Sequence, residues 1–117
     1  MYFRVNGMIV FCRGANVVPM DQLEGRYTDK AHQRMVWSAS KAGMNMLRVW
    51  GGGIYLPESF YDAADLLGIL IYHDMMYVEE QFHTPLRSNV QEQEIRETVR
   101  NLSHHPSIII WSGCNEV

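Results

Sequence analysis

The sequence is poor in the features that mark several large classes of protein. It has two cysteines, Cys12 and Cys114, among 117 residues, too few for a disulfide framework. Both lie in or beside predicted strands, so we expect them to be free, buried thiols. No apolar run approaches the roughly 18 residues of a membrane span. The first residues lack the long apolar stretch and cleavage site of a signal peptide, and the compartment is left open.

Basic charge is also scarce. Ten Lys and Arg residues stand against thirteen Asp and Glu residues, for a net charge of -3, and the basic residues are scattered among acids. Nucleic-acid binding depends on a clustered basic face, so we expect no nucleic-acid partner. From the lack of a long apolar run we likewise expect no membrane partner. The composition, 47% hydrophobic and 20% charged, is that of an ordinary globular protein. The length suits one small domain.

The chain opens with a predicted hairpin. We expect Phe3 to Val5 to form a short strand, and Asn6-Gly7 is a strong two-residue turn signal because both positions tolerate positive φ. Met8 to Cys12 returns as a second strand, which we expect to be buried on both faces because it is apolar throughout. The chain is then expected to turn at Arg13 to Asn16.

Three helices are predicted from residues that favour helix starts and ends: from Thr28 or Asp29 to Gly43, from Pro57 to Gly68, and from a capping pair at Ser88 and Gln91 to about Ser103. Apolar residues at helical spacing define the faces expected to point inward: Ala31, Met35, Ala39 and Ala42; Phe60, Ala64 and Leu67; and Ile95, Val99 and Leu102.

Short apolar strands separate these helices, at Met44–Trp50, Ile69–Tyr72 and Ile108–Trp111. Strands that alternate with helices predict parallel βαβ units. A closed (β/α)8 TIM barrel needs eight strands and about 250 residues. After the hairpin this pattern gives three helices and four strands, namely the three above and one before the first helix. We therefore expect an α/β fold: a partial TIM barrel of about the first four β/α units, preceded by a short β-hairpin, with residues 1–117 as one incomplete domain.

Several polar residues are candidates for a site at the carboxyl ends of these strands. Asn115 and Glu116 follow the last strand, where barrel enzymes hold catalytic groups, although a solvated loop would explain the pair alone. Arg48 lies in a buried strand and needs a charge partner, unless it reaches solvent at the strand end. Asp74 follows the third strand and could equally cap a loop. Asn16 is a weaker candidate, since an Asx turn explains it equally well.

Trp50 is followed by Gly51, Gly52 and Gly53. Glycines let a backbone approach a ligand closely, so this segment is a candidate for substrate contact. Packing of the indole in the core is an alternative that explains Trp50 as well.

His104 and His105 raise the possibility of a metal site. Adjacent residues in a loop are not expected to converge on one ion, and no cluster with ligand spacing accompanies them. We expect them to cap the chain before Pro106, and we expect neither a metal nor a cofactor. The acidic pair Glu79-Glu80 is expected to be a solvated loop face.

The order of the motifs resembles glycoside hydrolase family 2, in its β-mannosidase branch. The resemblance rests on four segments in sequence: Phe3-Arg-Val-Asn-Gly with Arg13-Gly-Ala-Asn16; Asn45-Met-Leu-Arg-Val-Trp-Gly-Gly-Gly53; Phe60-Tyr-Asp62 with Leu67-Gly-Ile-Leu70; and His105-Pro-Ser-Ile-Ile-Ile-Trp-Ser-Gly-Cys-Asn-Glu116. One departure is Tyr72-His73-Asp74, where the β-mannosidase pattern has Trp-Gln-Asp.

The resemblance implies a retaining, exo-acting hydrolase that releases terminal β-D-mannose from oligosaccharides. Glu116 would be the general acid/base, with its pKa raised by burial and by a neighbouring negative charge. Asn115, Trp50 and Asp74 would contact the sugar, as would Arg48, whose counterpart in the family also supports the nucleophile. That nucleophile would follow the seventh strand, and β-sandwich domains would precede the barrel, so both would lie outside this sequence.

Two alternatives remain open. The sugar could be that of a family 2 β-galactosidase, β-glucuronidase or exo-glucosaminidase. The chain could also be a catalytically silent half-barrel, which would self-associate through its open sheet edges and uncovered apolar faces.

Overall fold

A computed structural model describes residues 2–78 and 89–116. The chain has an α/β fold with a two-stranded and a four-stranded sheet. Its elements, in chain order, are β1 (Phe3–Val5), β2 (Met8–Val10), β3 (Gly14–Val17), a 3₁₀ turn (Glu24–Arg26), α1 (Asp29–Lys41), β4 (Met46–Val49), α2 (Glu58–Leu67), β5 (Leu70–Asp74), α3 (Asn89–Leu102) and β6 (Ile108–Ser112). Glu79-Glu80 and the predicted cap at Ser88 lie outside the described residues. Among the described helices, none is long and apolar enough to cross a membrane.

The predicted hairpin is confirmed, but its predicted burial is wrong. Strands β1 and β2 pair antiparallel, and the turn has φ of 49° at Asn6 and 84° at Gly7, as a type I′ turn requires. Met8 is 72% exposed and Phe11 is 82% exposed. An apolar strand is buried on both faces only where other layers cover it, and within the described residues no layer covers these side chains.

The predicted turn at Arg13 to Asn16 is also wrong, because Gly14–Val17 is the first strand of the parallel sheet. It pairs with β4 in the register Gly14↔Met46 to Val17↔Val49. A Cβ at Gly14 would collide with the carbonyl oxygen of Met46. Gly14 therefore allows two strands to approach closely, whereas the sequence alone suggested that it ended one.

The four-stranded sheet has the order β3-β4-β5-β6, and all its strands are parallel. This confirms the predicted alternation of strands and helices. Side chains on one face pack under the helices in a continuous core, whose buried members are Val17, Val36, Ala39, Leu47, Val49, Phe60, Tyr61, Ala64, Ile69, Ile71 and Leu102. Strand alternation places Asn16, Arg48 and Tyr72, which are neighbours in register, on the opposite face.

Helix α1 begins and ends where its local signals predict, and its inward face is partly as predicted. The Thr28 hydroxyl accepts a hydrogen bond from the Ala31 amide at 3.1 Å, and Gly43 follows the helix with φ of 78°. The buried residues are His32, Val36 and Ala39. Ala42 is the C-cap and is exposed. Of the predicted residues, Ala39 is thus buried and Met35 packs against the core, whereas the burial of His32 and Val36 was not predicted.

Helices α2 and α3 also form where predicted. Phe60 and Ala64 are buried, as expected, and Gly68 ends α2 in the left-handed conformation at φ of 68°. Tyr61 is fully buried as well, which the predicted stripe did not include. In α3 only Leu102 is buried, while Ile95 and Val99 are partly exposed. Both cysteines are free thiols, as predicted, but they are only partly buried.

Candidate active site

An ion pair between Arg48 and Asp74 lies at the centre of the candidate site. Arg48 Nη2 donates to Asp74 Oδ2 at 2.7 Å, and its Nε donates to Oδ1 at 3.3 Å. The Asp74 carboxylate is fully buried, whereas the Arg48 side chain is 26% exposed. The guanidinium also lies 5.2 Å from the centroid of the Tyr72 ring, within the range of a cation–π interaction. The expectation that Arg48 needs a charge partner is confirmed.

Asp74 belongs to β5 rather than to the loop after it. Besides the two bonds from Arg48, its Oδ2 accepts a bond from the Gly51 amide at 3.0 Å. A buried carboxylate is tolerated when its oxygens are paired and hydrogen-bonded in this way. In this structure the Asp74 side chain has no exposed surface, so it anchors Arg48 and the glycine segment. Direct contact with a substrate stays a prediction.

Asn115 is the third member of this group. Its Oδ1 accepts a hydrogen bond from Arg48 Nη2 at 2.9 Å. Its backbone amide donates to the Tyr77 carbonyl at 2.9 Å, within an isolated parallel bridge to Val78. Arg48 therefore connects β4 with β5 and with the segment after β6. The structure thus brings Arg48, Asp74 and Asn115 into direct contact.

Glu116 lies beside this group, but its surroundings differ from the prediction. Its side chain is exposed, so the burial expected around the carboxyl group is absent among the described residues. Its φ is 49°, a left-handed conformation that is uncommon for residues other than glycine. Such conformations add about 1–3 kcal/mol of strain and cluster at functional sites. The role of Glu116 stays a prediction.

Close packing within the protein explains why Gly51 and Gly52, which follow Trp50, are glycines. A Cβ at Gly51 would lie 2.6 Å from the carbonyl oxygens of Met75 and Tyr77, and a Cβ at Gly52 would collide with the Trp50 indole. Gly51 therefore packs tightly against the backbone that follows β5, and Gly52 packs against the Trp50 ring. Trp50 itself is partly exposed. These distances explain the glycines without a ligand, so contact of this segment with a ligand stays a prediction.

His73 supports the site from the helix side of the sheet, a role that sequence reasoning missed. Its Nδ1 lies 2.8 Å from the Asp74 carbonyl oxygen, which can only accept, so Nδ1 carries the proton. Its Nε2 then accepts from the Tyr61 hydroxyl at 2.8 Å. Burial lowers the pKa of His73 and outweighs the opposing hydrogen bond to Asp74. The sequence signal for this role was the alternation of side chains along β5, which places His73 on the face opposite Asp74 and toward α2.

His104 and His105 also differ from expectation, because they converge on one partner. His104 Nε2 lies 2.9 Å from Glu58 Oε1, and His105 Nε2 lies 3.1 Å from the same oxygen. Two adjacent histidines therefore do meet at one group in this chain, contrary to the prediction. Glu58 is 46 residues earlier than His104, so spacing along the sequence gave no sign of the cluster.

Asn16 is exposed on the Arg48 face.

No family model matches the chain. The chain is 42% identical over 116 residues to the β-mannosidase of Rattus norvegicus, over 98% of its own length. It is 40% identical over 116 residues to β-mannosidase B of Emericella nidulans, again over 98% of its length. The chain belongs with the β-mannosidases of glycoside hydrolase family 2. It spans 13% of the length of the first relative and 14% of the second.

Solved structures agree with this relationship. The crystal structure of the β-D-mannosidase from Dictyoglomus thermophilum matches with a TM-score of 0.84 and 37% identity, over 97% of this chain and 14% of that one. Bacteroides uniformis β-glucuronidase 2 matches with a TM-score of 0.72 and 24% identity, over 95% of this chain and 13% of that one. At that identity the second match indicates a shared fold alone.

Proposed function

We propose that the protein containing this chain is a retaining, exo-acting glycoside hydrolase that releases terminal β-D-mannose from oligosaccharides. The observation that carries the proposal is the contact of Arg48 with both Asp74 and Asn115. Glu116 is the next residue after Asn115 in the chain. Support for the choice of sugar comes from the β-mannosidase relatives, which are 40–42% identical to the chain.

In this proposal Glu116 is the general acid/base. Retaining hydrolysis uses two carboxyl groups about 5–5.5 Å apart, one of which protonates the leaving oxygen and then activates water. The other attacks the anomeric carbon and would come from a later strand, outside this chain. That part of the protein would also cover Glu116, which would raise its pKa toward the working pH.

Asn115 would bind the sugar beside the reacting carbon. Arg48 can only donate hydrogen bonds, so it holds Asn115 with Oδ1 toward the guanidinium. The amide nitrogen is then the group that this orientation offers to a sugar hydroxyl. Bonds to the 2-hydroxyl strengthen in the transition state of glycoside hydrolysis, so a fixed amide here would favour the reaction. Trp50 would form an apolar wall for the same sugar.

Residues 1–117 would form the N-terminal half of a TIM barrel, with the Asn16, Arg48 and Tyr72 face lining its interior. The remaining strands would then pair with the open edges at β3 and β6. The reaction as proposed needs no cofactor. Its partners would be the β-mannoside substrate and the rest of the same protein, including preceding β-sandwich domains.

A panel of nitrophenyl glycosides tests the proposal on the whole protein. We expect turnover of the β-mannoside with retention of anomeric configuration, followed by NMR. Release from the β-galactoside, β-glucuronide or β-glucosaminide but not from the β-mannoside would instead show that the enzyme is specific for another sugar. Absence of turnover on every substrate would contradict the proposed activity.

A further inference from the structure

A second cluster of chemically active side chains lies on the helix side of the sheet, away from the Arg48 face. It consists of Glu58 at the start of α2 and of His104 and His105, which follow α3. One ligand atom from each, a carboxylate oxygen and two imidazole nitrogens, lie within 4.8 Å of one another. We call these three residues the Glu58–His cluster.

These atoms are spaced for coordination of a small cation. The two imidazole Nε2 atoms lie 2.9 Å and 3.1 Å from Glu58 Oε1. Zinc binds imidazole nitrogen and carboxylate oxygen at about 2.0–2.2 Å, which separates tetrahedral ligand atoms by about 3.3–3.5 Å. An ion would therefore need each imidazole nitrogen to move away from Glu58 Oε1 by only a few tenths of an ångström.

His105 is oriented as a metal-binding histidine is. Its Nδ1 lies 2.7 Å from Asp65 Oδ2, and Asp65 Oδ1 in turn accepts from the Ser107 amide at 3.0 Å. A histidine that ligates a metal through one nitrogen almost always donates from the other to a carboxylate or carbonyl, which fixes its tautomer and ring orientation. The same arrangement here directs His105 Nε2 at Glu58.

Packing holds this geometry in place. The His105 side chain is 1% exposed, and its ring stacks on Tyr61 with centroids 5.3 Å apart. His104 and Glu58, by contrast, are 62% and 56% exposed. One ligand is thus rigid and buried, while two border solvent and leave a path by which an ion can enter.

We propose that Glu58, His104 and His105 form a binding site for a divalent transition-metal ion of the zinc class, with Asp65 positioning His105. Two imidazole nitrogens and one carboxylate suit zinc better than magnesium or calcium, which prefer oxygen ligands. Three protein ligands leave a fourth position for water. The ion links the start of α2 to the α3–β6 connection, so its role is to hold this part of the fold together.

The test is metal titration of the whole protein after removal of bound metal with a chelator. We expect Glu58→Gln and His104→Ala each to bind one Zn²⁺ ion fewer per chain than the wild type by calorimetry. Co²⁺ added to the wild type should give visible absorption of a tetrahedral site that both variants lack. Asp65→Asn should weaken Zn²⁺ binding about 10- to 100-fold, as loss of an outer-shell partner does.

Glu92→Gln is the matched control, because Glu92 is an exposed carboxylate that bonds Arg96 and is not a member of the cluster. It should bind Zn²⁺ as the wild type does. Thermal unfolding without metal shows whether each variant folds. If Asp65→Asn does not fold, His104→Ala still tests the site because His104 is exposed. Equal Zn²⁺ stoichiometry and affinity in wild type, Glu58→Gln and His104→Ala would overturn the proposal and leave only a hydrogen-bonded cluster.

Discussion

The Asn115 side-chain oxygen accepts a hydrogen bond from Arg48 at 2.9 Å, across 67 residues of sequence. The same guanidinium nitrogen donates to Asp74 at 2.7 Å. One arginine thus fixes the ends of β4 and β5 and the segment after β6 relative to one another. Because these strands are parallel, their carboxyl ends meet at one edge, and Arg48 is long enough to bridge them.

Replacement of Arg48 by methionine should destabilise the fold strongly. The change leaves the fully buried Asp74 carboxylate without its ion pair, and loss of one partner of a buried pair lowers the free energy of unfolding by about 3–5 kcal/mol. Denaturant unfolding measures the effect. Arg96→Met is the control, since it breaks only the exposed pair with Glu92 and should change stability by about 0.5 kcal/mol or less. Equal effects of the two variants would contradict the anchoring role of Asp74.

Replacement of Glu116 by glutamine should slow the proposed hydrolysis about 10²- to 10⁴-fold, the usual contribution of a general acid/base. For the step in which the leaving group departs, the loss should be smaller with a dinitrophenyl mannoside, whose leaving group needs little protonation, than with an alkyl mannoside. Pre-steady-state kinetics on both substrates measure the departure of the leaving group, and steady-state kinetics measure the overall rate. Glu92→Gln serves as the control and should keep wild-type rates. An identical loss on both substrates would argue against an acid role for Glu116.

Folding stability should fall as the pH drops below about 6.5, the ordinary pKa of histidine, in part because of His73. Burial holds the pKa of His73 below that value in the folded state, so the unfolded chain binds the proton more readily. The stability due to neutral His73 is thus fully present above the unfolded pKa and declines as the pH falls from there toward the folded pKa.

The free energy of unfolding, measured by denaturant between pH 5 and pH 8, checks this prediction. His73→Gln should flatten part of the slope below pH 6.5. Tyr61→Phe should flatten it less, because it removes only the hydroxyl that bonds His73 Nε2. A slope that is unchanged in His73→Gln would show that other groups account for the pH dependence.

Replacement of Gly51 by alanine should destabilise the fold by about 1–3 kcal/mol, as overpacking of a tight site does. The new Cβ would lie 2.6 Å from two backbone carbonyl oxygens, neither of which can move as a side chain can. Gly25→Ala is the matched control, because a Cβ there meets nothing within 4 Å, and it should change stability by about 0.5 kcal/mol or less. Thermal unfolding of the two variants provides the comparison, and similar melting temperatures would refute the close approach at Gly51.

The candidate site was only partly predictable from the sequence. The polar residues at strand ends, Arg48, Asp74 and Asn115, could be selected because parallel strands bring such ends together. Their actual bonds could not be derived, since they depend on strand register and on the reach of one side chain. His73 was passed over because its role comes from Tyr61, which lies on the helix packed against it.

Local backbone chemistry is what the sequence determined by itself. Asn6-Gly7 specified a turn, Thr28 capped a helix and Gly68 ended one, because each effect depends on sterics or hydrogen bonds within a few residues. The tertiary structure alone decided which apolar faces are covered, that Gly14 lies in a strand, and that Glu58 meets two histidines. Those outcomes depend on packing between segments distant in sequence, whose relative positions no local pattern encodes.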